Sequence, residues 1–229
     1  MRKEAAQEWR ITMKKVDLHV HSTYSDGTNT PKELIKLAEN EGLSAIALTD
    51  HDTLDGIPDA LDAAKNSSVE LIPGVELSTN FNNTEVHIVG LFLDHNNKQI
   101  NDYLIYQRQS RIDRNIQMCQ KFCDIGINIT YDKMCELYPD AVITRAHFAD
   151  YLVKNKYTGD RNEAFDRYLS PGKPCFVNRH KVDPEEAIAV IHKAHGAAIL
   201  AHPVLYHLGK DQMNALLEHV CSAGIDGIE

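Results

Sequence analysis

The sequence predicts an α/β protein built on a parallel sheet, and three observations lead there. Short apolar runs alternate with amphipathic helical stretches, which is the rhythm of βαβ units. The apolar runs end in His, Asp or Glu, and polar groups at the C-terminal ends of strands are where barrels of this class keep their sites. A long helical stretch in the middle interrupts the alternation without ending it.

The first strand is Val16-Asp17-Leu18-His19-Val20-His21, followed by Ser22-Thr23-Tyr24-Ser25-Asp26-Gly27. Residues two apart on a strand share a face, so His19 and His21 project together with Asp17 beside them, and Leu18 and Val20 turn to apolar packing. Thr30-Pro31-x-Glu33 is a capped helix start, with Leu34, Leu37 and Ala38 as its apolar stripe and Gly42 as its stop. Ala45-Ile46-Ala47-Leu48 is apolar throughout, as in a strand buried on both faces, and runs out into Thr49-Asp50-His51-Asp52. A helix over residues 57–65 leads to strands at 70–77, carrying Glu76, and 86–92, carrying His87. Residues 98–169 read as helical, with helices expected at 100–123, 131–137, 145–154 and 162–169. The β/α rhythm resumes with a helix capped by Asp183-Pro184, a strand at 197–201 ending in His202-Pro203, a helix at 211–223 and the start of one more strand at 224–229. The expected division is therefore a metal-binding barrel of 13–95 and 173–229, a helical insertion or cap at 96–172, and an N-terminal extension at 1–12, with Met13 as the natural start.

A chain of 229 residues with 43% hydrophobic and 25% charged residues is an ordinary globular composition. The net charge of -9 argues against strong duplex nucleic-acid binding, which needs basic surface to displace counterions. Five cysteines without a Cys-x-x-Cys pair fit reduced thiols in a cytoplasmic protein, with Cys119 and Cys123 as core residues. No apolar run has the length of a membrane span, and no signal peptide is evident.

The ionisable groups at strand ends are His19, His21 and Asp26, then Asp50, His51 and Asp52, then Glu76, His87 and His202. Taken singly, each has an equally good reading as a cap or a hydrogen-bonded core group. Together, at consecutive strand ends, they form a nitrogen and oxygen donor set suited to Zn, Mn or Fe. They outnumber the four ligands of one structural zinc, which favours two or three divalent ions bridged by a carboxylate, with Glu76 as the bridge.

Asp17-Leu18-His19-Val20-His21-Ser22, Ser25-Asp26-Gly27, Thr49-Asp50-His51-Asp52, Pro73-Gly74-Val75-Glu76, His87-Ile88-Val89-Gly90 and Ala201-His202-Pro203 resemble, in order, the motifs of the PHP (polymerase and histidinol phosphatase) family. Thr144-Arg145-Ala146-His147 and Pro171-Gly172-Lys173-Pro174 resemble its branch of 3',5'-nucleoside bisphosphate phosphatases, whose relatives also trim RNA from the 5' end. The resemblance implies a distorted (β/α)7 barrel. It implies a first ion on His19, His21 and Glu76, a second on Glu76, His87 and His202, and a third on Asp26 and His51. The family normally completes the first and third sites from a late Gly-Ser-Asp-x-His motif. The sequence given stops at Glu229 without it, so the expectation is a C-terminally incomplete barrel whose second site binds metal best, with His207 and Glu229 as weak substitutes.

The implied chemistry is phosphomonoester hydrolysis by a metal-activated water, with His19, His21, Glu76 and Asp26 at its heart. Arg145, Lys173 and Arg179, with His147 and His180, are the candidates for binding substrate phosphate, Arg being suited to bidentate contacts. Asp17, Asp50 and Asp52 are expected to orient the ligands, the last two through His51. His192, His195 and His219 read as packing or surface histidines. The substrate expected is a small phosphorylated molecule, a nucleoside 3',5'-bisphosphate or a short RNA 5' end. The competing readings are another phosphatase of the family, of the histidinol-phosphate type, and a non-catalytic metal-binding protein that lacks the late motif.

Overall fold

The structure is a computed structural model and describes residues 14–179 and 182–229. The extension at 1–12, the start at Met13 and the candidate His180 lie outside the described residues. One mixed sheet runs through the molecule in the order β1 to β6: β1 (Lys15–Val20), β2 (Leu43–Leu48), β3 (Glu70–Phe81), β4 (Thr84–Leu91), β5 (Ala197–Leu200) and β6 (Gly227–Ile228). The pairs β1/β2, β2/β3 and β5/β6 are parallel, while β3/β4 and β4/β5 are antiparallel.

The fold is therefore mixed α/β, and the expected all-parallel start is corrected at β3. That strand runs on to Phe81 and folds back at once into β4, because Asn82 and Asn83 both take positive φ (48° and 69°), the conformation of a two-residue hairpin turn. Asn tolerates this region better than most residues.

α1 (Pro31–Asn40) begins as read: Thr30 Oγ1 accepts the Glu33 N–H and the Glu33 carboxylate accepts the Thr30 N–H. Its buried stripe is Leu34, Ile35 and Ala38, whereas Leu37 is exposed. α2 (Ile57–Ala64), α7 (Pro184–Lys193) and α8 (Lys210–Ser222) share one apolar core with the sheet and the start of α3 (Lys98–Asp124). Ile46 and Leu48 of β2 point into that core, and Ala45 and Ala47 into a smaller one with Ile72, Val89 and Leu91, so β2 is buried on both faces as its composition required. β1 differs. It lies at the sheet edge, and of the two residues read as packed, Val20 lies against the core whereas Leu18 is exposed.

The second half of α3 packs with α4 (Tyr131–Leu137), α5 (Arg145–Lys154) and α6 (Arg161–Ala164) around a separate apolar cluster containing Met118, Phe122, Phe148 and Leu152. A π-helical turn, Phe165–Leu169, continues α6. Of the cysteines read as core, Cys119 is buried and Cys123 is exposed. Among the described residues, no helix is long and apolar enough to cross a membrane.

Candidate metal centre

Glu76 is the focus of the site. It sits on β3 with about 1% of its side chain exposed, and five imidazoles close on its two oxygens. His19 Nε2, His21 Nε2 and His51 Nδ1 lie 3.3, 3.1 and 3.1 Å from Oε2. His87 Nδ1 and His202 Nε2 lie 2.7 and 2.8 Å from Oε1. Burial alone would raise the Glu76 pKa, but the surrounding imidazoles, His51 and His87 first, hold it well below the usual carboxylate range.

Each ligand arrives by a local device. His19 on β1 and His21, the residue just after its end, lie two apart and so share a face. His51 leaves β2 in a parallel bridge to Glu76, with the Glu76 N–H donating to Asp50 O and the Asp52 N–H to Glu76 O. His202 leaves β5 with φ of 27°, and Asp52 leaves β2 with φ of 52°, left-handed conformations that the surroundings must enforce. Asp26 hangs on the turn after β1. Its Oδ1 lies 3.7 Å from His21 Nδ1 and its Oδ2 3.5 Å from His51 Nε2, and the Thr144 hydroxyl donates to Oδ2 at 3.2 Å. That turn is closed by Gly27, where a Cβ would meet the His21 carbonyl oxygen at 2.1 Å.

The donors form three overlapping trios whose ligand atoms lie within 4.8 Å of one another: His19/His21/Glu76, His21/Asp26/His51 and His51/Glu76/His87. A metal fits this arrangement on two counts. The donors are all imidazole and carboxylate, and one buried carboxylate cannot hydrogen-bond five rings: His51 Nδ1, 3.1 Å from Oε2, is buried without a hydrogen-bond partner, as is His202 Nδ1 on the far side of a ring whose Nε2 does bond Glu76. Burial pushes His51 down to about 4. It also opposes the proton on His87, but Glu76 and Glu85 outweigh it and push that ring up to about 10.

The supporting residues differ from expectation. Among the described residues, neither Asp50 nor Asp52 hydrogen-bonds the His51 ring. Asp50 accepts the Ser22 N–H (2.7 Å), the Ser22 hydroxyl and the Ser25 hydroxyl (both 2.6 Å), and Ser25 Oγ reaches His21 Nδ1 at 3.2 Å, so Asp50 steadies His21. Asp52 turns the other way, accepting Arg111 and Arg179. Asp17 is exposed and accepts the His19 N–H at 3.3 Å. Glu229, read only as a weak substitute ligand, lies 3.1 Å from His19 Nδ1 and accepts the His202 N–H at 2.8 Å, which fixes the outer side of one ring. His207 is exposed.

Beside the centre lies a narrow cavity of about 30 Å³ lined by Ser78, Glu85, Arg111, Arg114, Arg145 and Arg179 among others. Arg145 pairs with Glu85 and lies over the Phe176 ring, 5.7 Å from its centroid. Arg179 donates to Asp52 (2.8 Å) and to Ser78 O (2.8 Å). Arg111 bonds Asp52 and the Ser78 hydroxyl. Arg114 Nε is buried without a partner, and burial with the guanidiniums of Arg111 and Arg145 lowers its pKa well below the usual value. Four guanidiniums thus share two carboxylates, Asp52 and Glu85, which leaves the cavity with an excess of positive charge.

Two phosphate-binding candidates fall elsewhere. Lys173 is exposed and does not line this cavity. His147 is buried, its Nδ1 accepting the Thr144 N–H at 2.9 Å, which makes it a brace for the start of α5. Arg111 and Arg114 escaped the sequence reading. Their signal was the spacing Gln107, Arg111, Arg114 and Asn115, a polar segment on the otherwise apolar buried face of α3. His192 and His219 pair with Asp226 and Asp183 on the surface, as their ordinary reading implied.

Comparison with known proteins agrees with this picture. A 5'-3' exoribonuclease of Haemophilus influenzae is 41% identical over 216 residues, spanning 94% of this chain and 78% of its own. A 3',5'-nucleoside bisphosphate phosphatase of Chromobacterium violaceum is 36% identical over 220 residues, spanning 95% of this chain and 76% of its own. The solved structure of an amidohydrolase from Chromobacterium violaceum, with bound sulfate and no metal, superposes with a TM-score of 0.88 at 35% identity over 93% of this chain and 76% of that one. The PHP domain profile matches residues 17–198, and with these relatives it shows that the chain belongs to the PHP domain family.

Proposed function

We propose that the chain is a metal-dependent phosphoesterase that removes the 3'-phosphate of nucleoside 3',5'-bisphosphates, its barrel formed by 13–95 and 173–229 and its cap by 96–172. The observation that carries this is the placement of an anion cavity beside a histidine-rich centre: one phosphate reacts while the other is held. Ser78 lines the cavity and follows Glu76 by two residues on β3, a step of roughly 7 Å along a strand. That is the scale of the distance between two phosphates on one ribose.

His19, His21, Asp26, His51, Glu76, His87 and His202 would hold two or three divalent ions. Bound there, such ions would lower the pKa of a water and neutralise charge on the phosphoryl oxygens. The chain's own residues do the rest. Asp50, through Ser25, keeps His21 turned toward Glu76. Thr144 ties Asp26 to the start of α5, so the residue beside it, Arg145, is held in register with the centre. Arg114, Arg145 and Arg179 receive the second phosphate, and a substrate lacking it leaves their charge unbalanced.

A short RNA 5' end is the second substrate, a reading favoured by the likeness to the Haemophilus influenzae exoribonuclease. The test is phosphate release with Mn²⁺ from adenosine 3',5'-bisphosphate and from histidinol phosphate. Preference for the bisphosphate is expected. Equal turnover, or preference for histidinol phosphate, removes the role of the arginine cavity, and no turnover of any phosphoester favours a non-catalytic metal-binding role.

A further inference from the structure

The arginine cavity is too narrow for anything beyond the tip of a phosphate, so the nucleoside needs another place. Of the larger cavities, one of about 410 Å³ reaches a donor of the metal centre: Asp26 lines it, together with Tyr138, Pro139, Asp140, Asp150 and Arg161. That volume lies in the range of small-molecule sites. A second cavity of about 310 Å³ flanks Arg114 and Arg179 but includes none of the donor residues.

We propose that the cavity beside Asp26 takes the nucleobase of the substrate, with Tyr138 as its stacking ring. This deepens the nucleotide reading above and rests on it. The Tyr138 ring is braced from one side by His147, their centroids 4.3 Å apart. His147 is itself pinned, buried with its Nδ1 accepting the Thr144 N–H at 2.9 Å. Tyr138 is therefore a positioned platform, of the kind on which bases stack with little regard to sequence.

Charge separates the two cavities. Asp26, Asp140 and Asp150 outnumber Arg161, whose guanidinium is already committed to Asp150 (Nη2 to Oδ2 2.6 Å). A phosphate is repelled here and drawn to the arginines, while a flat neutral group with N–H donors suits both the ring and the Asp140 carboxylate. The start of α5 divides the two sides, with Arg145 facing the arginine cavity and His147 facing this one. A bisphosphate can then lie in only one direction across the centre.

The test is Tyr138→Ala against Tyr138→Phe, assayed with Mn²⁺ on adenosine 3',5'-bisphosphate and on p-nitrophenyl phosphate, which has no base. The ratio of kcat/KM for the nucleotide to that for p-nitrophenyl phosphate is expected to fall about tenfold in Tyr138→Ala and to be kept in Tyr138→Phe. An unchanged ratio, including a parallel loss on both substrates, overturns the proposal. Calorimetric binding of adenosine 3',5'-bisphosphate to wild type and Tyr138→Ala separates this from the functional reading. If wild type does not hydrolyse the nucleotide, that reading falls, and the base site stands on a tenfold weaker Kd in the variant or falls on an equal one.

Discussion

Replacing Asp52 by Asn is expected to cost about 3 kcal/mol of folding stability, at the low end of the 3–5 kcal/mol typical when one partner of a buried ion pair is removed. Asp52 is fully buried and its carboxylate accepts the Ser78 N–H at 3.0 Å, both Arg111 and Arg179, and little else. Burial would raise its pKa, but Arg179 and Arg111 outweigh it and hold the group well below the carboxylate range. Asn suits the test because it tolerates the positive φ of 52° and can still accept from Ser78, so only the charge is removed. With Asp52 gone, Arg111 and Arg179 join Arg114 as uncompensated cations in one small space. At a urea m-value of about 2 kcal/mol/M, the midpoint at pH 7 falls by about 1.5 M. Arg179→Met, costly in the wild type, is expected to cost little on top of Asp52→Asn, since the partner is already lost. A loss below about 1 kcal/mol, or an equal cost of Arg179→Met in both backgrounds, would refute the reasoning.

Gly27→Ala is expected to displace the His21 backbone, because the added Cβ would sit 2.1 Å from its carbonyl oxygen, and to weaken Mn²⁺ binding more than tenfold by calorimetry. Glu76→Gln removes the carboxylate that meets five imidazoles and is expected to abolish Mn²⁺-dependent phosphatase activity while circular dichroism shows a folded chain. Prolonged chelation should lower Tm, and Mn²⁺ should restore it, since a ligand bound only by the folded state stabilises it. Imidazoles must lose their proton to ligate, and His87 is pushed up to about 10, so Mn²⁺ affinity should rise from pH 6 to pH 8; a flat profile would count against histidine ligation.

Legibility in the sequence followed the range of the interaction. Local chemistry was readable: the Thr30 to Glu33 cap, the doubly buried Ala45-Ile46-Ala47-Leu48 strand, and helices starting at Tyr131 and Arg145. The donor set was readable because strand ends in an α/β fold have a common destination, and His19, His21, Asp26, His51, Glu76, His87 and His202 do converge. What escaped was set by partners distant in sequence. Asp50 and Asp52 are near-identical in context, yet one serves Ser22 and Ser25 and the other Arg111 and Arg179 across the molecule. Leu37 matched the helical stripe as well as Ile35, and only packing chose between them. The hairpin at Asn82-Asn83 was within reach of turn chemistry, and missing it made the sheet look parallel where it is not.

That hairpin explains why the donor cluster and the arginine cavity are neighbours. In the β3/β4 register, Ser78 opposes His87 and Asn80 opposes Glu85, while Glu76 opposes Val89. Residues two apart share a face, so one side of the ribbon presents Glu76, then Ser78 level with His87, then Asn80 level with Glu85. Glu76 and His87 belong to the donor cluster, and Ser78, Asn80 and Glu85 line the arginine cavity. β2 repeats the step at its end, where His51 joins the centre and the next residue, Asp52, holds two of the arginines. On the proposed function, the distance between the two phosphates of the substrate would then be fixed by strand pitch rather than by loop conformation. A parallel β3/β4 pair would have required a crossover of a dozen or more residues in place of the two-residue turn and would not have set Glu85 beside Asn80.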